Sequence, residues 1–152
     1  MAWQADALGH GKGLCVMPMS RSEIMSRIRG KDTVPELVVR KALHRLGFIG
    51  YETQYGEFRV DVAFVKEKVA VFVDGCFWHG CPEHFRLPKT NVGFWRNKVE
   101  RNKRRAEKAD AKLKCGGWSV VRIWEHQLKS DIDDLLLSAL NDVKRKRRAI
   151  EI

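Results

Sequence analysis

The stretch of residues 69–85 constrains the fold of this chain more than any other. It begins with an uninterrupted apolar run, which is typical of a β-strand buried on both faces of a sheet. At the end of that run an acidic residue, cysteines, histidines and aromatic residues follow one another closely. Because an open α/β sheet presents its functional groups beyond the carboxyl ends of its strands, we expect an active site here.

The charge balance indicates a polyanionic partner. The 152 residues contain 29 lysines and arginines against 19 acidic residues, a formal net charge of +10. A chain of this length is expected to form one domain with a substantial core. Nucleic acid is favoured over a membrane surface, because the sequence has no long apolar span and no basic amphipathic helix with a bulky apolar face. A merely basic, highly charged protein is the alternative.

Turn residues and charge divide the chain into three parts. Residues 1–19 are interpreted as a flexible lead-in, residues 20–143 as one folded domain and residues 144–152 as a basic tail. The domain begins with a short basic helix over residues 20–28, which is either solvated or an arm that clasps DNA. Further helices are predicted over residues 33–46, 91–114 and 130–143, and strands over residues 51–55, 58–65, 69–73 and 118–124. In the helix over residues 33–46, the side chains predicted to face the core are Leu37, Val38, Ala42 and Leu46.

Cysteine and histidine residues indicate a metal site. Four cysteines in a chain without a signal peptide are typical of a cytosolic protein with reduced thiols rather than of a disulfide framework. Cys76, Cys81 and His84 supply three zinc-type ligands in a short segment, and either His126 or Cys115 completes a tetrahedral site. His126 is preferred because it follows a strand end that can lie beside Cys76. Two buried thiols with an unrelated histidine are the alternative.

Three carboxylates and a histidine indicate hydrolytic chemistry. Glu36, Asp61 and Asp74 lie on successive predicted elements, and such a set can hold Mg²⁺ against a phosphodiester. His79 suits deprotonation of the attacking water, because imidazole is available in its neutral form near pH 7. Glu36 can instead close a helix cap, and Asp61, expected in the middle of a strand, can instead pair with Arg59.

Basic and aromatic residues suggest a DNA-binding surface. The helix over residues 91–114 carries a large excess of lysine and arginine, which favours phosphate contacts over a merely solvated face. Two adjacent aromatic pairs can stack on bases or wedge into a duplex, although core packing is the usual alternative. The basic candidates are Arg96, Arg101, Arg104 and Arg105, and the aromatic pairs are Phe77 with Trp78 and Phe94 with Trp95.

Five short motifs occur in one order along the chain. They are Asp-Thr-x-x-Glu at residues 32–36, Arg-x-Asp at 59–61, Gly-Cys-Phe-Trp-His at 75–79, Phe-Trp at 94–95 and Gly-Trp-x-Val at 117–120. Together they resemble the very short patch repair (Vsr) endonuclease family over about residues 21–128. Gly-Cys-Phe-Trp-His is the most specific of these motifs.

The resemblance implies a fold, a reaction and two metals. The expected fold is α/β and single-domain, like the PD-(D/E)xK fold of type II restriction endonucleases, with a mixed central sheet flanked by helices and a structural Zn²⁺. The expected reaction is Mg²⁺-dependent nicking of one DNA strand, 5′ to the thymine of a T·G mismatch that arises from 5-methylcytosine deamination.

The resemblance also implies roles for individual residues. Asp61 would be the principal Mg²⁺ ligand, His79 the catalytic histidine and Glu36 a supporting acid. The zinc ligands would be Cys76, Cys81, His84 and His126. The residues that would contact the mismatch are Phe77, Trp78 and Trp95 on one side and Met25, from the N-terminal helix, in the opposite groove.

The chain departs from the best-known form of the family just before Gly75. Val73-Asp74 stands where that form has Thr-His. An aspartate cannot donate a hydrogen bond to phosphate as a histidine does, but it can coordinate a metal. Asp74 is therefore a second candidate Mg²⁺ ligand. The cysteine and histidine types of the zinc ligands are also permuted.

The leading hypothesis is a DNA repair endonuclease that binds duplex DNA with a T·G mismatch. Mismatch-repair proteins are a further candidate partner. One alternative is a restriction or defence nuclease of the same fold with another target, and another is a non-catalytic, zinc-stabilised DNA-binding module. Glu36, Asp61 and His79 argue against the module, because binding alone needs none of them. The chain is expected to act as a monomer in the bacterial cytoplasm, without a membrane, and on the nucleoid when bound.

Overall fold

A computed structural model describes residues 30–150 of the chain. The predicted lead-in, the helix over residues 20–28 and the placement of Met25 lie outside the described residues. No helix within residues 30–150 is long and apolar enough to cross a membrane. In chain order the elements are α1 (Val34–Arg45), β1 (Val62–Phe64), β2 (Val69–Asp74), α2 (Val92–Cys115), β3 (Ser119–Trp124), a 3₁₀ helix (Glu125–Lys129), α3 (Ile132–Ala139) and α4 (Asn141–Ile150).

A three-stranded mixed sheet in the order β1-β2-β3 forms the centre of the molecule. β1 runs antiparallel to β2, and β3 runs parallel to it. A parallel pair needs a long crossover connection, which here includes α2. β2 is buried almost throughout, as its continuous apolar sequence predicts for a central strand. The expectation of an α/β domain with a mixed central sheet flanked by helices is confirmed.

Helices cover both faces of this sheet. One face packs against α1, α3 and α4 in a core that includes Leu43, Phe64 and Leu136. The other face packs against α2, where Phe72 contacts the buried side of the helix at Ala109. Full burial of one large apolar side chain stabilises the fold by about 1.5–3 kcal/mol, so the two cores together hold β2 firmly in place.

The strand predicted over residues 58–65 forms only in part. β1 is confined to Val62–Phe64, and Asp61 lies in a bend just before it rather than in the middle of a strand. The side chain of Asp61 accepts a hydrogen bond from the backbone of Val73, and such a side-chain bond competes with regular strand pairing. The strand predicted over residues 51–55 is likewise reduced to isolated bridges.

The buried face of α1 agrees with the prediction at Ala42, which is buried, and at Leu46, which packs against the core, but not in the first turn. Leu37 and Val38, which were expected to face the core, are 42% and 37% exposed, while Val39 and Leu43 are fully buried. Glu36 lies on the same buried side, and its side chain is bonded to neighbouring groups at the helix start.

The C-terminal region is helical beyond the end of the last predicted helix. The helix expected over residues 130–143 is broken at Leu140 into α3 and α4. Residues 144–150, expected in a basic tail, instead continue α4. Arg147 Nε donates to Glu67 Oε1 over 2.7 Å, and Lys146 Nζ donates to the Glu67 carbonyl over 2.7 Å. The buried acid Glu67 thus gives part of this basic run an internal partner, which a charge count cannot reveal.

Candidate active site and metal centre

The carboxyl ends of β2 and β3 form the edge at which the predicted site residues gather. The parallel register pairs Asp74 with Trp124, so the residues that follow both strands emerge at the same edge. Cys76 and His126 each lie two residues beyond these paired ends, and Cys76 Sγ is 3.3 Å from His126 Nδ1. The predicted adjacency of the two residues is confirmed.

Four cysteine and histidine side chains form a compact cluster at this edge. One ligand atom from each of Cys76, Cys81, His84 and His126 lies within 4.8 Å of all the others. Cys81 Sγ is 3.5 Å from His126 Nδ1 and 3.8 Å from His84 Nδ1. In a tetrahedral site, Zn–S bonds of about 2.3 Å and Zn–N bonds of about 2.0–2.1 Å place neighbouring ligand atoms roughly 3.5 Å apart. The observed spacing fits Zn²⁺.

The alternative fourth ligand, Cys115, is far from this cluster in the fold. It is exposed at the end of α2, before β3 begins, whereas His126 follows the end of β3. Glu83 Oε2 lies 3.6 Å from His126 Nε2, where a carboxylate can orient a zinc-bound imidazole. Four protein ligands would leave no open position for water, so this centre suits a structural role.

Asp61 reaches the same end of the sheet from the segment before β1. Its Oδ2 accepts a hydrogen bond from the backbone N–H of Val73 over 2.8 Å. Within residues 30–150, its Oδ1 has no hydrogen-bond partner and no cation forms an ion pair with it, so the alternative pairing with Arg59 is not observed. One carboxylate oxygen of Asp61 therefore remains available for a metal ion.

The electrostatic setting of Asp61 also favours a cation. Burial raises the pKa of Asp61 to about 7, and the charges of Glu36 and Asp74 add to that rise. The Val73 N–H and the more distant Arg40 oppose it without cancelling it. A carboxylate that is costly to ionise gains strongly from a bound divalent cation, so this residue fits a Mg²⁺ ligand.

Glu36 is committed to the start of α1. Its Oε2 accepts hydrogen bonds from the backbone N–H of Asp32 over 2.9 Å and from Arg40 Nη2 over 3.2 Å. Its Oε1 accepts a hydrogen bond from Thr33 Oγ1 over 2.9 Å. These contacts agree with the alternative in which Glu36 closes the cap of the helix. Glu36 still contributes negative charge near Asp61, but its two oxygens are already engaged.

Asp74 is held by an arginine. Both of its carboxylate oxygens accept hydrogen bonds from Arg122 Nη1, at 2.8 and 2.9 Å, and the residue is only 4% exposed. Its Oδ1 also lies 3.7 Å from His79 Nδ1. This arrangement favours a role in orienting His79 over the predicted role as a Mg²⁺ ligand.

His79 lies in the turn that follows β2. Its backbone N–H donates to the carbonyl of Gly75 over 3.1 Å, which fixes the turn. Burial lowers the pKa of His79; Asp74 raises it and Arg122 lowers it. The imidazole is therefore neutral near pH 7, as a general base requires.

The predicted aromatic residues form one cluster. The ring of Phe77 lies 5.3 Å from Trp78 and 5.3 Å from Trp95, and the two tryptophan rings are 6.1 Å apart. Phe94, which is 56% exposed, lies 5.1 Å from Trp95. Asn102 Nδ2 on α2 donates to the carbonyl of Trp78 over 2.9 Å. These rings belong to neither core cluster, so the structure leaves them partly accessible.

The candidate basic residues on α2 are free of acidic partners within the described part of the chain. All of them are exposed, and none forms an ion pair with a residue between positions 30 and 150. Unpaired arginines on one helix can neutralise phosphates. The residues concerned are Arg96, Arg101, Arg104 and Arg105.

Three residues that contribute to the site were not identified from the sequence. Arg122 bonds to Asp74, Asp110 bonds to Arg122, and Asn102 donates to the backbone carbonyl of Trp78. For Arg122 a signal was present, because a single arginine within an otherwise apolar strand must find a buried anion. Asp110 and Asn102 lie on a long polar helix, where no pattern distinguishes them from solvated neighbours.

The sequence of the chain is similar to the sequences of known DNA endonucleases. The profile of a family described as "DNA mismatch endonuclease Vsr" matches residues 15–84. The type II nicking enzyme V.NaeI of Lentzea aerocolonigenes is 36% identical over 148 residues, which are 92% of this chain and 89% of that protein. The type II nicking enzyme V.NmeDIP of Neisseria meningitidis serogroup C is 41% identical over 73% of this chain and 77% of its own length. The DNA mismatch endonuclease Vsr of Escherichia coli K12 is 29% identical over 72% of both chains.

Proposed function

Because the chain belongs to the Vsr family of DNA endonucleases, we propose that it nicks one strand of duplex DNA 5′ to the thymine of a T·G mismatch. The single observation that carries this proposal is the grouping of Asp61, Asp74 and His79 at one end of the sheet, beside a partly exposed aromatic cluster. The first set suits phosphodiester hydrolysis and the second suits contact with an unstacked base pair. A non-catalytic binding module would need neither the acids nor the histidine.

In the proposed site Asp61 holds the catalytic metal. Within residues 30–150 one oxygen of Asp61 has no partner, and burial makes the carboxyl costly to ionise; both observations support Mg²⁺ as its partner. Bound Mg²⁺ would supply charge neutralisation for the phosphodiester. Glu36 supports the site by its negative charge, which adds to the attraction for a cation. The helix arrangement around a mixed sheet agrees with a restriction-endonuclease-like fold.

His79 takes the proton of the attacking water in this proposal. Its neutral state near pH 7 leaves one ring nitrogen basic, and its neighbour Asp74 can stabilise the positive charge that the ring gains. Asp74 is assigned to orientation, because both of its oxygens are already engaged by Arg122. Loss of a general base typically costs roughly 10²–10⁴-fold in rate.

The aromatic cluster is proposed to recognise the mismatch. A T·G pair that arises from deamination of 5-methylcytosine unstacks more readily than a matched pair, so a wedge converts that difference into selectivity. Phe77, Trp78 and Trp95 form the wedge, and the free arginines of α2 hold the flanking phosphates. Met25 is assigned to the opposite groove by the family resemblance alone. A monomer that acts on chromosomal DNA in the cytoplasm completes the proposal, and mismatch-repair proteins remain candidate partners.

Zn²⁺ is proposed as a structural ion in the cluster of cysteines and histidines. The ion would join the turn after β2 to the 3₁₀ helix after β3, because its ligands come from both segments. This bridge lies directly beside His79 and the aromatic residues. The zinc centre would therefore fix the shape of the segment that carries both catalysis and recognition.

Another target is the alternative, and its support is that two relatives are named type II nicking enzymes. In that alternative the chemistry is the same and the nicked site differs. Nicking of end-labelled duplexes distinguishes a T·G mismatch target from another target. A single cut 5′ to the mismatched thymine, with matched DNA left intact, supports mismatch repair; equal cutting of matched DNA contradicts it.

A further inference from the structure

Arg122 is a cation whose hydrogen-bonding capacity is fully used inside the protein. Nη1 donates to both oxygens of Asp74, at 2.8 and 2.9 Å, and Nε donates to both oxygens of Asp110, at 3.0 and 3.1 Å. Nη2 donates to Asp110 Oδ1 over 2.7 Å and to the carbonyl of Ala106 over 3.2 Å. The guanidinium also lies over the ring of Phe72, 4.4 Å from its centre. These contacts hold the Arg122 guanidinium in one position, unlike the side chain of a mobile surface arginine.

Arg122 joins the end of β2 to α2, next to the hydrogen bond by which Asn102 of α2 holds the carbonyl of Trp78. Asp74 ends β2 and precedes the turn that carries His79, whereas Asp110 and Ala106 belong to α2, the helix with the free arginines. Nε and Nη2 form a two-nitrogen fork on Asp110, and this fork fixes the position of Nη1, to which both oxygens of Asp74 bond. A lysine ammonium has no such fork. The orientation of the Asp74 carboxylate relative to His79 is therefore set by Arg122.

We propose that Arg122 is a positioning residue for DNA nicking, which acts on His79 through Asp74. Asp74 Oδ1 faces His79 Nδ1 at 3.7 Å. A carboxylate in that place favours the tautomer with hydrogen on Nδ1, so Nε2 is left as the basic nitrogen. The distance is longer than a hydrogen bond, and such contacts commonly tighten when the substrate binds. The inference rests on the proposed role of His79 as general base.

The test uses Arg122→Lys, which keeps the positive charge and removes the fork. Nicking of a T·G duplex is measured in single turnover at saturating enzyme, together with affinity for the same duplex without Mg²⁺. We expect the rate to fall about 10²-fold, as for a misplaced catalytic group, with affinity unchanged. A wild-type rate in folded Arg122→Lys would overturn the inference.

A matched control is available at the other end of β2. Arg147 pairs with the buried Glu67, with side-chain exposures of 31% and 6%, against 22% and 6% for Arg122 and Asp74. Arg147 also lies over an aromatic ring, that of Phe64. Arg147→Lys should lower the melting temperature to a similar degree and leave the nicking rate unchanged. An equal rate loss in both variants would indicate a general structural effect and would overturn the proposal.

A double-mutant cycle separates this inference from the proposed function. If Arg122 acts through His79, Arg122→Lys should cause no further loss in a His79→Ala background. The same loss in both backgrounds would overturn the positioning role. A wild-type rate in His79→Ala alone would instead remove the general base itself, which is a failure of the proposed function.

The tautomer of His79 gives a readout that does not depend on activity. The chain has five histidines, and His79→Ala assigns the resonance of this ring in ¹⁵N-edited NMR spectra. We expect an Nδ1–H pattern in the wild type and its loss in Arg122→Lys. If Arg122→Lys does not fold, Asp110→Asn replaces it as the test, because it weakens only the contact between Arg122 and α2. This variant should weaken the same NMR pattern. An unaltered pattern in a folded variant would contradict the inference.

Discussion

The Oδ2 atom of Asp61 accepts a hydrogen bond from the backbone N–H of Val73 over 2.8 Å. This bond ties the bend before β1 to the end of β2, one residue before Asp74. It therefore brings a carboxylate from an irregular segment to the end of the sheet where His79 and the cysteine–histidine cluster lie. The other oxygen of Asp61 has no partner among residues 30–150, so it can face a metal ion there.

Removal of the Asp61 charge should stabilise the protein without Mg²⁺. The pKa of Asp61 is raised to about 7, so the folded state favours the protonated acid and the wild type loses stability as pH rises from about 4 through 7. Asn does not titrate, so Asp61→Asn should melt at a higher temperature than the wild type at pH 8. Thermal melts at pH 6 and pH 8 in Mg²⁺-free buffer that contains Zn²⁺ measure the effect. Equal pH dependence in both proteins would contradict the raised pKa.

Asp74→Asn should slow nicking without altering the Mg²⁺ requirement. Both oxygens of Asp74 are bound to Arg122, so its loss disturbs the orientation of His79 rather than the metal site. We expect a fall of roughly 10²-fold in the single-turnover rate, with an unchanged Mg²⁺ midpoint. A midpoint shifted to higher Mg²⁺ would show instead that Asp74 is a metal ligand.

The protein should bind one Zn²⁺ per chain through Cys76, Cys81, His84 and His126. Cys76→Ser should lose the ion and unfold or aggregate, because a structural zinc site contributes directly to folding. Cys115→Ser is the matched control, since this thiol lies exposed at the far end of α2 and should not affect zinc content. Metal analysis of purified protein measures both. Well-folded protein without zinc would refute the site.

Trp78→Ala and Trp95→Ala should reduce discrimination between T·G and matched duplexes more than they reduce stability. Both rings belong to the partly accessible cluster beside the site rather than to either core. Trp118→Ala is the control, because Trp118 packs against the core at the start of β3, and it should lower stability without changing discrimination. If Trp78→Ala and Trp95→Ala melt at much lower temperatures but still discriminate normally between T·G and matched duplexes, the two residues serve only in core packing.

Binding should depend strongly on salt through the free arginines of α2. Each phosphate contact adds roughly 0.9 to the slope of log affinity against log salt concentration. Arg101→Gln and Arg104→Gln should each reduce the slope by about that amount. Arg45→Gln removes the same charge but lies on α1, where Arg45 pairs with Asp133, and should leave the slope unchanged. Equal slopes in all of these variants would exclude α2 from the phosphate contacts.

Residues at regular strand ends were the most predictable from the sequence. The apolar run of β2 fixed a buried central strand, and a parallel partner then placed Cys76 beside His126 by register alone. Asp61 was expected in an apolar setting in the middle of a strand. It is half-buried and lies in a bend, which was not predicted because the hydrogen bond to Val73 joins segments distant in sequence.

Pairings between distant charges were the least predictable. Glu36 bonds to groups at the start of its own helix, and Arg147 in the basic segment after Val143 bonds to Glu67. The use of Arg122 by both Asp74 and Asp110 likewise requires three elements to be in place first. Such contacts depend on tertiary geometry, which periodicity and composition do not contain.

The most direct test of the account is strand-resolved nicking of a labelled T·G duplex by the wild type and by Asp61→Asn. With Mg²⁺, the wild type should make one cut 5′ to the mismatched thymine and leave the matched duplex intact. Asp61→Asn should bind the same duplex but cut it roughly 10³-fold more slowly or not at all, because it lacks the charge that holds the ion. A wild-type rate from Asp61→Asn would contradict the proposed mechanism.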